Sequence, residues 1–168
     1  SDGVAKRVVF QSIKKNKHVV TANKSLISKH GDALSVLSEK HGVNLLFEAA
    51  VGGGIPIIRS IKQGLIANKL NHIYGILNGT TNFILTEMEK RNENFQTILK
   101  DAQKLGYAES NPTADVDGFD SADKISILSS IGFGSKIINK GFLIEGIRNI
   151  EIEDIKFAKS LGYKIKLL

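Results

Sequence analysis

The stretch from Leu105 to Lys124, LGYAESNPTADVDGFDSADK, places five carboxylates and a final lysine within a chain whose net charge is +6. Turn-forming residues fill its first half and predict irregular backbone there. From Phe119 onward, apolar residues recur at helical spacing, which predicts a helix with Asp120 in its first turn. Lys124 follows four residues later, so this acid and this amine lie on one helix face and can share a proton or a substrate hydroxyl.

A solvated salt bridge is the alternative interpretation of Asp120 and Lys124, and such pairs contribute only about 0.3–0.5 kcal/mol. Glu109 and Asp115, on the loop before the helix, favour a functional site instead. Several carboxylates beside one lysine are costly unless a cationic or hydrogen-bonding ligand lies among them. An amino-alcohol or an amino-aldehyde fits that description.

Composition sets limits on the class of protein. The chain has 168 residues, of which 42% are hydrophobic and 24% charged, as in an ordinary globular domain. It contains no cysteine, which excludes a disulfide framework and a thiolate metal site and favours a reducing cytoplasm. We expect no membrane partner, because no apolar run approaches the roughly 20 residues that span a bilayer.

The excess of basic residues could indicate a nucleic-acid-binding protein, since the sequence pI is about 9.5. Proteins that follow a phosphate backbone cluster their lysines and arginines on one face and interleave them with aromatic residues. Here the lysines are scattered along the chain. We therefore expect a small-molecule substrate and no nucleic-acid partner.

The order of elements predicts an α/β fold. An amphipathic helix from Val4 to Ile13 precedes a short buried strand at 18–21, which is the pattern of a βαβ unit. Lys24 follows the carboxyl end of that strand, where open α/β sheets bind ligands. An exposed loop lysine is the alternative.

A run of three glycines follows a second predicted strand, at 43–50. Glu48 interrupts this apolar strand, so it either lies at an exposed end or is functional. The glycines at 52–54 allow unusual backbone angles before a helix that begins at Pro56. Their spacing matches no nucleotide motif, so a phosphate cradle is a weak interpretation, and bare carbonyls that bind a hard cation are an equal one.

A polar elbow, NGTTN at 78–82, follows a third predicted strand at 73–77. Free amides at a helix start, with hydroxyls beside them, suit a carboxylate or another anion. An ordinary helix cap is an equally good interpretation. Two further strands are predicted, at 141–147 and 163–168, with a helix between them at 152–161.

Four segments taken together resemble homoserine dehydrogenase, and the resemblance extends over essentially the whole chain in the family's order. It implies an oxidoreductase that interconverts homoserine and aspartate 4-semialdehyde with NAD(P)H, on the route to threonine and methionine. The four segments are HVVTANK at 18–24, FEAAVGGGIP at 47–56, GILNGTTNFIL at 75–85 and GYAESNPTADVDGFDSADK at 106–124.

The resemblance also implies roles for individual residues. Lys124 matches the proton donor to the aldehyde oxygen, Glu109 and Asp120 match substrate-binding acids, and Asp115 lies near them. Lys24 matches the lysine between cofactor and substrate. The remaining implied sites are Gly79, Thr80 and Tyr107 for substrate, Thr21 and Asn23 for cofactor, and the backbone oxygens of Glu48, Val51, Gly53 and Ile55 for a monovalent cation, sodium or potassium.

The resemblance further implies a domain organisation. Family members begin with a strand and a G-x-G-x-x-G turn that bind the dinucleotide, and no such turn occurs here, so we expect a fragment that is inactive alone. Residues 1–47 would be the end of a Rossmann-type domain, and 48–168 an α+β substrate domain with a mixed sheet and helices on one face. The other face would form a homodimer. A non-enzymatic dimerisation or ligand-binding module, or a phosphate-binding α/β domain, is the alternative.

Overall fold

The computed structural model describes residues 3–138 and 140–168, which form α-helices and a two-stranded parallel sheet. The chain divides into two compact units: a first unit of Ser1–Ile73 with Asp123–Phe142, and a second unit of Tyr74–Ala122 with Leu143–Leu168. The elements are α1 (Val4–Lys14), β1 (Val19–Val20), α2 (Lys24–Lys40), β2 (Leu45–Leu46), α3 (Ile57–Arg59), α4 (Gly79–Arg91), α5 (Phe95–Lys104), α6 (Thr113–Val116), α7 (Phe119–Phe133) and α8 (Ile152–Ser160).

The first unit contains the predicted βαβ arrangement. β1 pairs with β2 in parallel, with Val19 opposite Leu45, and α2 is the connection between them. Parallel strands need such a crossover, and its amphipathic helix covers the sheet. The helix buries Leu26 and Leu34 fully, and Ile13 of α1 is also fully buried. The predicted first helix and first strand are therefore confirmed.

The second unit has a helical core. α4 and α5 pack against each other, and α6 and α8 pack on α4. The apolar positions of α5 recur every three to four residues, which turns one face of the helix towards the core. The buried side chains of this core are Ile84, Leu85, Met88, Phe95, Ile98, Leu99, Ala102, Ala108, Val116, Ile147 and Ile155.

The α/β class is confirmed, but the predicted strands at 73–77, 141–147 and 163–168 are wrong, because the structure assigns no strand there. The larger mixed sheet expected from them is accordingly not formed within the described residues. An apolar run predicts extended backbone, whereas a strand also requires a neighbouring backbone to pair with.

Hydrogen bonds of two of these segments show what replaces the strand pairing. The backbone N–H of Leu167 donates to Asn82 Oδ1 at 3.1 Å, and Asn82 Nδ2 donates to the Leu167 carbonyl at 2.9 Å. An amide side chain thus takes the place of a partner strand. At the end of the other segment, the Ile147 N–H donates to the Val116 carbonyl at 2.7 Å.

The acidic stretch is more ordered than the sequence predicts. Pro112 begins a short helix, α6, in which the Val116 N–H donates to the Pro112 carbonyl at 2.9 Å. Gly118, with a φ of +84°, separates α6 from α7. Asp120 lies in the first turn of α7, as predicted. The turn chemistry therefore produces one extra helical turn where irregular backbone was expected.

The helices of the described residues were also compared with the requirements of a bilayer. None of those in 3–138 and 140–168 has the length and apolar character needed to cross a membrane.

Candidate active site

A buried asparagine connects two of the predicted carboxylates. Asn78 Nδ2 donates to Asp115 Oδ1 at 2.6 Å and to Asp120 Oδ2 at 2.9 Å. Its Oδ1 accepts from the Thr81 N–H and from Thr81 Oγ1, both at 2.9 Å. A backbone N–H can only donate, so these bonds fix the amide orientation and direct the NH₂ group at the carboxylates. We call Asn78, Asp115 and Asp120 the carboxylate cluster.

Burial makes the carboxylate cluster electrostatically demanding. Asn78 is 4% and Asp120 7% exposed, and Asp115 is partly buried. Two carboxylates within hydrogen-bonding distance of one nitrogen repel each other, and burial removes the water that would screen them. The amide compensates part of this cost, and a bound cation or ammonium group would compensate more.

The predicted substrate residues Thr80 and Tyr107 are also brought together. Thr80 Oγ1 donates to the Tyr107 carbonyl at 2.8 Å, and the Tyr107 ring lies 4.5 Å from the Phe83 ring, centroid to centroid. Gly79 is exposed and is the first residue of α4. These contacts attach the loop before α6 to the first turn of α4.

Glu109 lies apart from the hydrogen bonds of the carboxylate cluster. It is exposed, and its backbone carbonyl accepts from Gln103 Nε2 at 2.9 Å. Lys124 is carried by α7, four residues after Asp120, which is one helical turn. The helical spacing predicted for that acid and that amine is therefore confirmed.

The predicted cofactor residues form the start of α2. Asn23 is its N-cap, and its Oδ1 accepts from the Leu26 N–H at 2.9 Å. Thr21 Oγ1 accepts from the Asn23 N–H at 3.1 Å. Lys24 is the first residue of the helix rather than an exposed loop residue. Capping explains both Thr21 and Asn23 structurally, so their role towards a cofactor stays a prediction.

The predicted cation residues lie around the glycine loop, residues 51–55. The Glu48 carboxylate accepts from the backbone N–H groups of Ile58 and Arg59 at 3.0 and 2.9 Å, and so caps the helix after the loop. Glu48 is partly buried and begins a short 3₁₀-helix, Glu48–Ala50, so it has a structural role after β2 and does not lie at an exposed strand end. The described residues contain no group of three His, Cys, Asp or Glu side chains that could hold a metal ion.

An ion pair joins the acidic stretch to Arg148, which lies later in the sequence. Arg148 donates to Asp117 through Nε at 2.8 Å and Nη2 at 3.0 Å. These charge-assisted bonds lower the pKa of Asp117 and raise the pKa of Arg148. Gly146 lies directly on the same loop, because a Cβ there would overlap Val116 O and come within 2.5 Å of Asp117 Cα.

Sequence reasoning missed the role of Asn78. The NGTTN elbow indicated a helix cap, and that interpretation is confirmed, since Asn78 is the N-cap of α4. Its second role depends on Asp115 and Asp120, which lie 37 and 42 residues further along the chain. A polar elbow in a chain with a distant acidic stretch is the one signal that could have suggested it.

Comparisons with known proteins show the family to which the chain is similar. The homoserine dehydrogenase family model matches residues 56–168. Homoserine dehydrogenase of Neisseria gonorrhoeae is 48% identical over 166 residues, which is 99% of this chain and 38% of that protein.

Two solved structures extend the comparison. The crystal structure of a homoserine dehydrogenase from Thiobacillus denitrificans superposes with a TM-score of 0.95 at 48% identity, over 97% of this chain and 38% of that one. A hyperthermophilic archaeal homoserine dehydrogenase in complex with NADPH gives a TM-score of 0.79 at 28% identity, over 87% of this chain and 45% of that one.

The chain thus spans 38% of the length of the Neisseria relative. The matched part includes the elbow, the acidic stretch and α7, which together carry the carboxylate cluster and Lys124. More than half of the chain lies within the family model. This chain therefore belongs to the homoserine dehydrogenase family.

Proposed function

We propose that this chain carries the substrate-binding and proton-transfer part of a homoserine dehydrogenase, an enzyme that interconverts L-homoserine and L-aspartate 4-semialdehyde. The observation that carries the proposal is the carboxylate cluster, one member of which, Asp120, lies one helical turn before Lys124 on α7. Residues 1–47 would be the end of the nucleotide-binding domain and 48–168 the substrate domain. The absence of cysteine from the sequence favours a cytoplasmic enzyme.

The chemistry of these groups suits the reaction. The substrate is an amino acid, and its ammonium group would add positive charge beside Asp115 and Asp120. Reduction of the aldehyde adds a hydride to the carbonyl carbon and leaves alkoxide charge on the oxygen. The Lys124 ammonium donates a proton to that oxygen, and in the reverse direction the amine takes the hydroxyl proton back.

The proposed cofactor is NAD(P), which supplies or accepts the hydride when bound. Support comes from the family relationship and from the NADPH complex of the archaeal relative. Lys24, Asn23 and Thr21 follow β1, at the sheet edge where α/β proteins bind nucleotides. Lys24 would then face both the nicotinamide and the substrate.

Replacement of Lys124 tests the proposed function. In the complete protein that contains this chain, Lys124→Ala should lower kcat about 10²–10⁴-fold, the usual range for a lost general acid. The KM for homoserine should change far less, because the ammonium acts mainly in the transition state. Steady-state kinetics of Lys124→Ala beside Lys100→Ala, an exposed lysine on α5, make the measurement. Equal losses in kcat and in substrate binding would refute the proton-donor role.

The same proposal includes a monovalent cation, sodium or potassium, at the backbone oxygens of Glu48, Val51, Gly53 and Ile55. The glycine loop fits such an ion, because its positive-φ residues, Gly52 and Gly54, turn successive carbonyls in different directions. Gly54→Ala should remove any rise in melting temperature that sodium or potassium produces. A wild-type protein with no such rise would refute the site.

A homodimer is the last part of the proposal. Tyr74, Ile76 and Leu143, all in the second unit, are 85%, 55% and 86% exposed. Exposed apolar groups of this size mark interfaces, and a two-fold pairing would cover the same patch on both copies. Sedimentation of the protein at tens of micromolar measures the assembly. A clean monomer would refute the dimer.

A further inference from the structure

One buried hydroxyl in the first unit hydrogen-bonds to a residue far along the chain. Ser28 is 2% exposed, and its Oγ donates to Asp123 Oδ1 at 2.6 Å, across 95 residues of sequence. The acceptor is a carboxylate and the distance is short, which is characteristic of a charge-assisted hydrogen bond. The bond joins α2 to α7.

The Ser28–Asp123 bond lies within one helical turn of each lysine proposed for the reaction. Ser28 follows Lys24 by four residues on α2, which is one helical turn, and Asp123 immediately precedes Lys124 on α7. All four residues belong to the first unit. The Ser28–Asp123 bond therefore joins the two helix turns that carry Lys24 and Lys124.

A second serine on the same helix shows that burial alone does not require such a partner. Ser38 is 6% exposed, and its Oγ donates to the carbonyl of Ser35 at 2.8 Å, within its own helix. This local bond is the common way for a helix to satisfy a buried serine. The Ser28 hydroxyl, in contrast, contacts a charged group on another element.

We propose that Ser28 and Asp123 are positioning residues, which set the register of α2 against α7 and thereby hold Lys24 and Lys124 at the separation that catalysis needs. This role rests on the proposed function, because only the dehydrogenase reaction uses both lysines. Reacting groups must be held within a fraction of an ångström, and a displacement of about 1 Å lowers turnover up to about 100-fold.

The first test is kinetic and uses the complete protein that contains this chain. Ser28→Ala should lower kcat about 10-fold and leave the KM for homoserine within about two-fold, because the proposed role of the bond is to position lysines that act mainly in the transition state. Ser38→Ala, the matched control, should leave both parameters unchanged. Asp123→Ala should match Ser28→Ala, whereas Asp123→Asn, which keeps an oxygen acceptor, should retain most of kcat. Wild-type turnover in Ser28→Ala would overturn the proposal.

The double variant decides whether the two residues act through one bond. If they do, Ser28→Ala combined with Asp123→Ala should have the same kcat as the lower single variant, because the bond is already lost. Losses that multiply would show two independent effects and would also overturn the proposal.

A second test needs no activity. Hydrogen exchange of the α7 amides should rise in Ser28→Ala and stay at the wild-type level in Ser38→Ala, because only the first variant loses the connection to α7. Unchanged exchange in Ser28→Ala would refute the bond between the helices. A wild-type protein without homoserine turnover would refute the proposed function instead, and the exchange experiment would still decide whether the bond joins α2 to α7.

Discussion

Two neighbouring helices begin with the same cap, and one of the two capping asparagines also donates to carboxylates. Asn78 caps α4 and Asn94 caps α5, and each accepts from the backbone N–H and the Oγ1 of the threonine three residues later. Asn94 does this in contact with solvent. Asn78 does it in the interior and gives its NH₂ group to two carboxylates. The cap fixes the acceptor side of the amide, and its surroundings decide what the donor side does.

The largest expected effect comes from converting both caps to aspartate. Asp caps a helix as well as Asn does, so Asn94→Asp should change the free energy of unfolding by less than about 0.5 kcal/mol. Asn78→Asp replaces two donors with a third carboxylate, and it should lower that free energy by about 3 kcal/mol, because the new charge is buried beside Asp115 and Asp120. Urea denaturation of the two variants makes the comparison. Equal stability would show that the carboxylate cluster is not buried in solution.

The short helix that contains Asp115, α6, is packed against Gly146. Gly146→Ala would force a methyl group into the backbone of Val116 and Asp117, and the resulting overpacking should lower the free energy of unfolding by about 2 kcal/mol. Gly64→Ala, where a Cβ meets no atom within 4 Å, is the matched control and should change it by less than about 0.5 kcal/mol. Thermal unfolding of both variants checks this, and equal melting temperatures would contradict the packing.

The smallest expected effect concerns Asp117, whose carboxylate has an exposed cationic partner. Arg148 lowers the pKa of Asp117 below its ordinary 3.8, so the ion pair stabilises the fold above that pH and is lost as the pH falls through the folded-state value. The difference in unfolding free energy between wild type and Arg148→Gln should therefore be constant near neutral pH, shrink as the pH falls below 3.8, and vanish only below the folded-state pKa of Asp117. A difference that persists in acid would show that packing of the Arg148 stem, not charge, is responsible.

The helices could be predicted from the sequence because their signals are local. Apolar spacing predicted α1 and α7, and the polar elbow that begins at residue 78 indicated a helix cap. The pairing of Asn78 with two carboxylates could not be predicted, because it depends on the path of the chain between residues 78 and 120. The same limit explains the strands predicted wrongly at 73–77 and 163–168. Hydrophobic periodicity describes a single segment, whereas a β-strand needs a second segment to pair with.

The amide of Asn82 has a consequence for the far end of the described chain. Its Nδ2 donates to the carbonyls of both Asn78 and Leu167, at 3.1 and 2.9 Å. The segment around Leu167 is therefore hydrogen-bonded to the elbow through the Asn82 side chain, and Lys166 Nζ also donates to Thr86 Oγ1 on the same helix at 2.7 Å. Thermodynamic coupling is reciprocal, so if a ligand at the carboxylates stabilises the docked Leu167 segment, docking of that segment raises the affinity for the ligand by the same free energy. Hydrogen exchange of the Leu167 amide thus becomes an indirect measure of occupancy at the carboxylates.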